Sequence, residues 1–573
     1  MTKNIVILLI GGLVITLPFL FRQAPQVTDW QVGDPELVVI TPHNEAIRFE
    51  FGQGFSHWHQ QNYGKPVKID WRSLGGTTEI MRYLEATFLA SYRAYWQRSG
   101  KEWPAAATQR LMDSHYTPDG SSIDALNQTF RSTDDPGIFS ANIDVFFGGG
   151  EYDHSTAYKR GLTVPPWPED QPPSGLFNQD GIEMIPRQLS GETWRTPTLF
   201  GVAVSTFGIC YNKDRLRELG VAAPSRWDDL ANPKLMRQVG VADPTKSGSI
   251  AKAYEMIIQQ KIQQAVLAAG FTNDDITRFE NAFDKAQGKP WEIPANVPTH
   301  YQKAVEDGWR QGLLLIERIG ANVRYFTDSA AKIPIDVSKG DAAMGMAIDF
   351  YGRYQAEYSQ APDGTERMVF VTPEGGSSVS SDPVSLLRGA PHKEQAVRFM
   401  QFLLSDEGQK LWNYRPGEAG GPIKYALRRL PIRRSFYPSR QASVNQIFET
   451  YRPHLTDNLA DPAINPYQVG KKFTYRRRWT GHHFNIHRNL IKAMCLDAGE
   501  ELKLAWEAIQ KHGGAELNPA AMQAFSALPD DFNWHSAIDG YSKASQLDTM
   551  RRWVIHFRQT FQKAKALAEG DAS

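Results

Sequence analysis

The sequence predicts an α/β protein built as two lobes, and three observations carry that prediction. Short runs of β-branched and aromatic residues alternate with amphipathic stretches of helical period, the pattern of helices packed on a mostly parallel sheet. A chain of 573 residues is too long for one hydrophobic core and divides into more than one unit. Turns rich in glycine and hydroxyls follow one predicted strand after another, where an open α/β sheet presents its ligand crevice.

The elements follow in order. A strand is predicted over 36–41, then a helix with Ile47, Phe51, Phe55 and Trp58 on one stripe, then a strand in which Val67, Ile69 and Trp71 alternate. The turn 73–79 opens a helix with Ile80, Tyr83, Leu84 and Phe88 on one face. Periodicity fades between about 90 and 140, an inserted helical or looped segment, and 143–153 restores a buried strand ending in three glycines. The Pro-rich stretch 163–175 reads as a surface excursion. Residues 198–214 read as one long β-like run, 224–235 as a short helix capped by Ser225, and 239–242 as a strand. Residues 250–340 are mostly helical and close on an apolar strand within 340–354. Short strands return before a single amphipathic helix over 392–412. The expected organisation is a leader or membrane anchor over 1–25 and a helical extension over 429–573, with, as the family resemblance given below implies, a first lobe from 36–150 and 370–428 and a second lobe from 151–369 between them.

Composition narrows the function. Lys plus Arg and Asp plus Glu balance at 63 each, which leaves no electrostatic footprint for nucleic acid. An uncharged run from Asn4 to Phe21 between Lys3 and Arg22 implies export, as a cleaved signal or a retained anchor. The two cysteines, Cys210 and Cys495, have no metal-ligand spacing, and Cys210 lies in an apolar run that predicts a buried thiol.

The stretch 240–260 carries the most specific local signal. Gly240, Lys246 and Ser247 sit at the spacing of a nucleotide-binding loop, but Thr245 replaces its second glycine and Pro244 precedes it. What remains is a helix start whose free N–H groups and dipole favour an anion, or a helix simply capped by Ser247 or Ser249. Six such loops supply the candidate ligand-binding residues. They are His43, Asn44 and Glu45; Ser73, Gly75, Gly76, Thr77 and Thr78; Gly148 and Gly149; Thr206; Thr245, Ser247, Gly248 and Ser249; Asp349 and Tyr351. Neither G-x-S-x-G nor H-E-x-x-H occurs, so no catalytic residue, metal ligand or cofactor is assigned. His483 and His487 share i, i+4 spacing without a following carboxylate, and Arg476 to Arg478 reads as a solvated face or docking patch.

In these blocks, and in order from about 36 to 425, the chain resembles the periplasmic solute-binding proteins of ABC importers, in the branch that includes ferric-iron, phosphonate and sugar-phosphate binders. The resemblance rests on VVITPHNE, IDVFFGGG, FGICYNKD, WDDLANPK, VADPTKSGS, GDAAMGMAIDFYGRY and AVRFMQFLLSDEGQKLW. It implies two α/β lobes that close by hinge motion on a small molecule or ion, no chemistry on that solute, and a membrane permease as partner. His43 matches the iron binders' histidine and Tyr351 the first of their two tyrosines, but Gly352 stands at the second. The reading therefore leans to a small anionic or phosphorylated solute, with a ferric-iron binder and an exported hydrolase as alternatives. A solute-binding fold recruited to a signalling complex would differ only in its partner.

Overall fold

A computed structural model describes residues 30–114, 116–168, 171–539 and 546–570; the expected leader lies outside them. Among the described residues, no helix is long and apolar enough to cross a membrane.

Two large sheets organise the chain. The first takes strands β1 (Glu36–Ile40), β2 (Lys68–Arg72), β3 (Val145–Phe147), β4 (Thr163–Val164), β5 (Phe200–Ser205), β11 (Ser380–Leu387) and β12 (Leu430–Pro431), in the order β12-β5-β11-β3-β1-β2 with β4 also on β11. The second takes β6 (Phe207–Asn212), β7 (Val239–Ala242), β8 (Val323–Thr327), β9 (Met344–Ile348) and β10 (Met368–Val371), in the order β8-β7-β9-β6-β10. In each sheet the strands that feed helices run parallel: β1 with β2 and β3, and β7 with β8 and β9. The helices that matter below are α1 (Glu45–Tyr63), α2 (Thr77–Arg98), α3 (Glu151–Lys159), α4 (Gly248–Ala268), α5 (Thr299–Asn322) and α6 (Asp349–Tyr358).

The run over 198–214 is not one strand. It is β5 and β6, each fully hydrogen-bonded in a different sheet, with Thr206 as the single residue between them. The chain returns between β10 and β11, and the two crossings are tied together. Phe207 N–H donates to Ser377 Oγ at 2.8 Å, and the Thr206 and Thr372 hydroxyls are 3.1 Å apart. The helix expected over 392–412 is also two, Lys393–Leu404 and Asp406–Asn413. Ser405 breaks it with an extended backbone and accepts the Gly408 N–H at 3.3 Å, an N-cap inside an apolar period. Ser225 does not cap a helix. Two 3-10 turns follow, Trp227–Ala231 and Pro233–Leu235, and Asp229 Oδ2 accepts the N–H groups of Ser225 and Arg226 at 2.7 and 2.9 Å.

The C-terminal extension is helical and has no core of its own. Trp479, Leu490, Met494, Leu502, Phe525 and Phe557 belong to one buried cluster with Ile257, Ile258, Leu313 and Ile316 from α4 and α5. His483 and His487 stack at 5.2 Å inside that cluster and are neutral packing residues. His483 Nε2 donates to the Trp534 carbonyl and His487 Nε2 accepts from Trp309 Nε1, both at 2.8 Å. Arg478, expected on a solvated face, is buried on Glu280, while its neighbour Arg477 is exposed.

Helices α4 and α5 approach closely because α5 carries Gly308 and Gly312 at the contact. A Cβ at Gly308 would lie 2.5 Å from Ile262 Cα, and one at Gly312 would lie 2.7 Å from Ile258 Cα. Glycine to alanine within a helix ordinarily stabilises by about 1 kcal/mol. Here the added methyl meets backbone, so Gly308→Ala is expected to destabilise by about 1–3 kcal/mol in urea unfolding. A stabilised variant would contradict this packing.

Candidate functional site

A cavity of about 560 Å³ opens between the two sheets, lined by the loops that follow β1, β2, β3 and β9, by the start of α4, and by the extension. Its floor is set by one buried carboxylate. Asp382, on β11, accepts the Gly149 N–H at 2.9 Å on Oδ1, and His43 Nε2–H at 2.8 Å and the Arg429 guanidinium on Oδ2. Arg429 Nη2 also donates to Ser205 Oγ at 3.1 Å, at the point where the chain leaves the first sheet. Burial alone would raise the Asp382 pKa, but Arg429, His43 and the Gly149 N–H outweigh it and hold the carboxylate ionised well below the usual range. Burial likewise lowers the His43 pKa, with Asp382 opposing.

Gly148 and Gly149 have positive φ, +92° and +112°, and each permits a close approach. A Cβ at Gly148 would lie 2.5 Å from the His43 ring, and one at Gly149 would lie 2.4 Å from Thr77 Cγ2. The starts of α2 and α3 are thereby drawn together. The start of α4 joins them from the second lobe: Gly76 and Gly248 face Lys246 O and Thr77 Oγ1, at 3.0 and 3.4 Å from a hypothetical Cβ. Gly76 and Gly150 cap α2 and α3 without a side-chain hydrogen bond, and Ser247 caps α4 by accepting the Ile250 N–H at 3.4 Å. The N–H groups of Thr77, Thr78, Gly248 and Ser249 meet no protein acceptor among the described residues. Three helix dipoles therefore direct their positive ends into one space.

Of the residues expected from sequence, His43, Asn44, Ser73, Gly75, Gly76, Thr77, Gly149, Ser247, Gly248, Ser249 and Tyr351 line this cavity. The others stand behind it or outside it. Glu45 is exposed on Arg48, Thr78 bonds Arg488 at 3.2 Å, Gly148 backs the His43 ring, and Thr245 is turned onto Asp243 at 2.7 Å. Thr206 sits in the crossing, and Asp349 is buried with Arg353 at 3.3 Å.

Two groups of lining residues have no signature in the local sequence. Lys252 lies between Glu192 and Glu255, at 3.0 and 2.9 Å, and over the Tyr475 ring at 3.7 Å, so a hairpin, a helix and the extension meet on one charge. The two carboxylates raise the Lys252 pKa against the effect of burial. The extension supplies Tyr475, Arg477, Gly481, Phe484 and Arg488. Only the proximity of three arginines at 476–478 hinted at it. Six acidic and six basic side chains line the cavity, so placement, and not net charge, decides what it accepts.

With this geometry in view, comparison with known proteins identifies the class. The model of the bacterial extracellular solute-binding protein family matches residues 115–410, just over half of the chain, and the chain belongs to that family. It is 20% identical to the phosphoglycerate transport regulatory protein PgtC of Salmonella typhimurium, over 47% of this chain and 55% of that one. It is 26% identical to a putrescine/agmatine-binding protein of Pseudomonas aeruginosa, over 38% and 48%. The chain thus spans about half the length of both relatives. The structure of the periplasmic binding protein AfuA from Actinobacillus pleuropneumoniae with fructose-6-phosphate aligns at a TM-score of 0.41 and 14% identity, over 74% of this chain and 98% of that one.

Beneath the site, His154 on α3 is a test of the buried hydrogen bonding. Its Nε2–H donates to the Gly148 carbonyl at 3.1 Å, Nδ1 accepts from Ser385 Oγ at 2.8 Å, and the ring stacks on Phe146 at 4.0 Å. Burial lowers its pKa to about 4 from the ordinary 6.5, with the Gly148 carbonyl opposing. Between those values the unfolded chain binds a proton that the folded chain does not, so this histidine's contribution falls as pH drops from 6.5 to 4. The stability gap between wild type and His154→Gln should therefore shrink from pH 7 to pH 5 in urea unfolding. A constant or widening gap would contradict the assignment.

Proposed function

We propose that this protein is the solute-binding component of an ABC import system, that it works outside the cytoplasmic membrane, and that its cavity takes a small anionic or phosphorylated solute. The convergence of the α2, α3 and α4 starts on one space is the observation that carries the anion. Free N–H groups of Thr77 and of Gly248–Ser249 come from opposite lobes, so an anion held there bonds both and draws the lobes together. The first lobe is built on the β1-β2-β3 sheet and the second on the β6–β10 sheet, with the crossings at Thr206 and between β10 and β11 as the hinge. The name of one relative, a phosphoglycerate transport regulatory protein, agrees with this; that of the other, a putrescine/agmatine-binding protein, does not.

The alternatives have less support. For iron, His43 has its Nε2 committed to Asp382, and a side chain at Gly352 would meet Phe370 at 2.4 Å and Cys210 Sγ at 3.1 Å, so the second tyrosine has no room. For hydrolysis, four of the six lining carboxylates, Glu192, Glu255, Asp328 and Asp382, are bound in ion pairs instead of standing free as acid and base.

Thermal-shift and calorimetric titration with inorganic phosphate, glycerol 3-phosphate, putrescine and ferric citrate tests the reading. An anion at 100 times its Kd stabilises the protein by about 2.7 kcal/mol. We expect a phosphate ester to do so, putrescine not to, and Ser249→Glu to abolish the effect without lowering the melting temperature of the unliganded protein. Stabilisation by putrescine or ferric citrate alone, or by none of the four, contradicts it.

A further inference from the structure

The family match ends at residue 410, yet a wall of the cavity comes from well beyond it. The segment that forms this wall is rigidly anchored in the second lobe. The Arg478 guanidinium donates to both oxygens of Glu280 at 2.6 and 2.9 Å and to Gln302 Oε1 at 2.8 Å, and Trp479 Nε1 donates to Glu280 at 2.9 Å. Its other end reaches the first lobe, where Asn485 donates to the Tyr152 hydroxyl at 2.6 Å and Phe484 packs on the Tyr152 ring at 5.2 Å.

Arg488 occupies the seam where the α2 and α4 starts meet. Nε donates to the Pro244 carbonyl at 2.6 Å, and Nη2 donates to the Thr245 carbonyl at 2.7 Å and to Thr78 Oγ1 at 3.2 Å. These acceptors are neutral. They fix the guanidinium plane and leave its charge without an ion pair, and Nη1 without a hydrogen bond, among the described residues. Asp153, Asp243 and Glu79 act on it from beyond ion-pair distance; the foremost, Asp153, is pushed by burial toward its neutral form, with Arg488 opposing. Every other basic residue of the cavity except Arg477 has a carboxylate partner. A guanidinium held by neutral acceptors, with no ion pair among the described residues and beside the free first-turn N–H groups of α2 and α4, is an arrangement that recognises anionic oxygens.

We propose that the C-terminal extension is part of the binding site, and that Arg488, assisted by Arg477 at the rim, supplies the cation that pairs with the anionic group of the solute. This rests on the anionic reading above and adds to it the specificity-determining residues of this chain. The solute class is a phosphate monoester or a comparably compact oxyanion, bridged by the α2 and α4 N–H groups and by Arg488 Nη1.

The test is calorimetric titration of wild type, Arg488→Gln and Arg477→Glu with glycerol 3-phosphate and inorganic phosphate, each variant's melting temperature being measured first. A lost charge-assisted hydrogen bond predicts affinity lower by about tenfold or more for Arg488→Gln, and reversal of the exposed Arg477 predicts a loss of about fivefold. Arg488→Gln with an unchanged melting temperature and unchanged affinity overturns the proposal while the anionic reading stands. If Arg488→Gln unfolds, Arg477→Glu decides, because Arg477 is exposed and forms no ion pair among the described residues: reduced affinity supports the proposal and equal affinity overturns it. Failure of wild type to bind either anion overturns the anionic reading and this proposal together.

Discussion

The geometry of the cleft depends on the buried carboxylate of Asp382. It is bonded at once to His43 after β1, to Gly149 after β3 and to Arg429 before β12, and it stands on β11, the central antiparallel strand of the first sheet. Four segments distant in sequence are thereby brought to one point beneath the cavity. Removing one partner of such a buried pair costs about 3–5 kcal/mol, because the other charge is left without compensation. That dependence explains why His43 has both a lining position and a structural one: its ring is an arm of the clamp and also a part of the cavity wall.

From this clamp the helix starts follow. Gly149 is held against Thr77, Thr77 against Gly248, and the three dipoles share one opening. The second lobe adds the Lys252 cluster, in which Glu192 and Glu255 flank one cation. Charges neutralised within the wall contribute shape and rigidity, while the groups left without partners, free N–H and the Arg488 guanidinium, contribute attraction. The equal number of acidic and basic residues over the whole chain, 63 each, is thus compatible with a site that discriminates by charge.

Much of this was legible in the sequence where a local rule applies. Alternation and helical period placed β1, α1, β2, α2 and α4, and the glycine-bearing turns after strands marked part of the cavity wall. What was not legible depended on contacts between distant residues. The β5–β6 run is continuous in hydrophobicity, and only pairing to different sheets divides it at Thr206. Ser405 interrupts an unbroken apolar period, and β8 is a short strand that follows directly on the long α5 helix. Thr206, Thr245 and Asp349 carry suitable chemistry in suitable loops, yet their side chains satisfy inter-sheet crossing, turn and buried ion-pair contacts. The extension showed no pattern tied to binding, because Arg488 acquires its role only through packing of its helix between the starts of α2 and α4.

The central claim is positional: an anion belongs at the meeting of these three helix starts. Anomalous diffraction from crystals of the protein soaked in selenate, a tetrahedral oxyanion, measures that position directly. The account predicts the principal selenium peak within hydrogen-bond distance of the Thr77, Gly248 and Ser249 N–H groups and of Arg488. A principal peak elsewhere on the molecule, or a cavity with no peak at selenate concentrations that populate other sites, would contradict it.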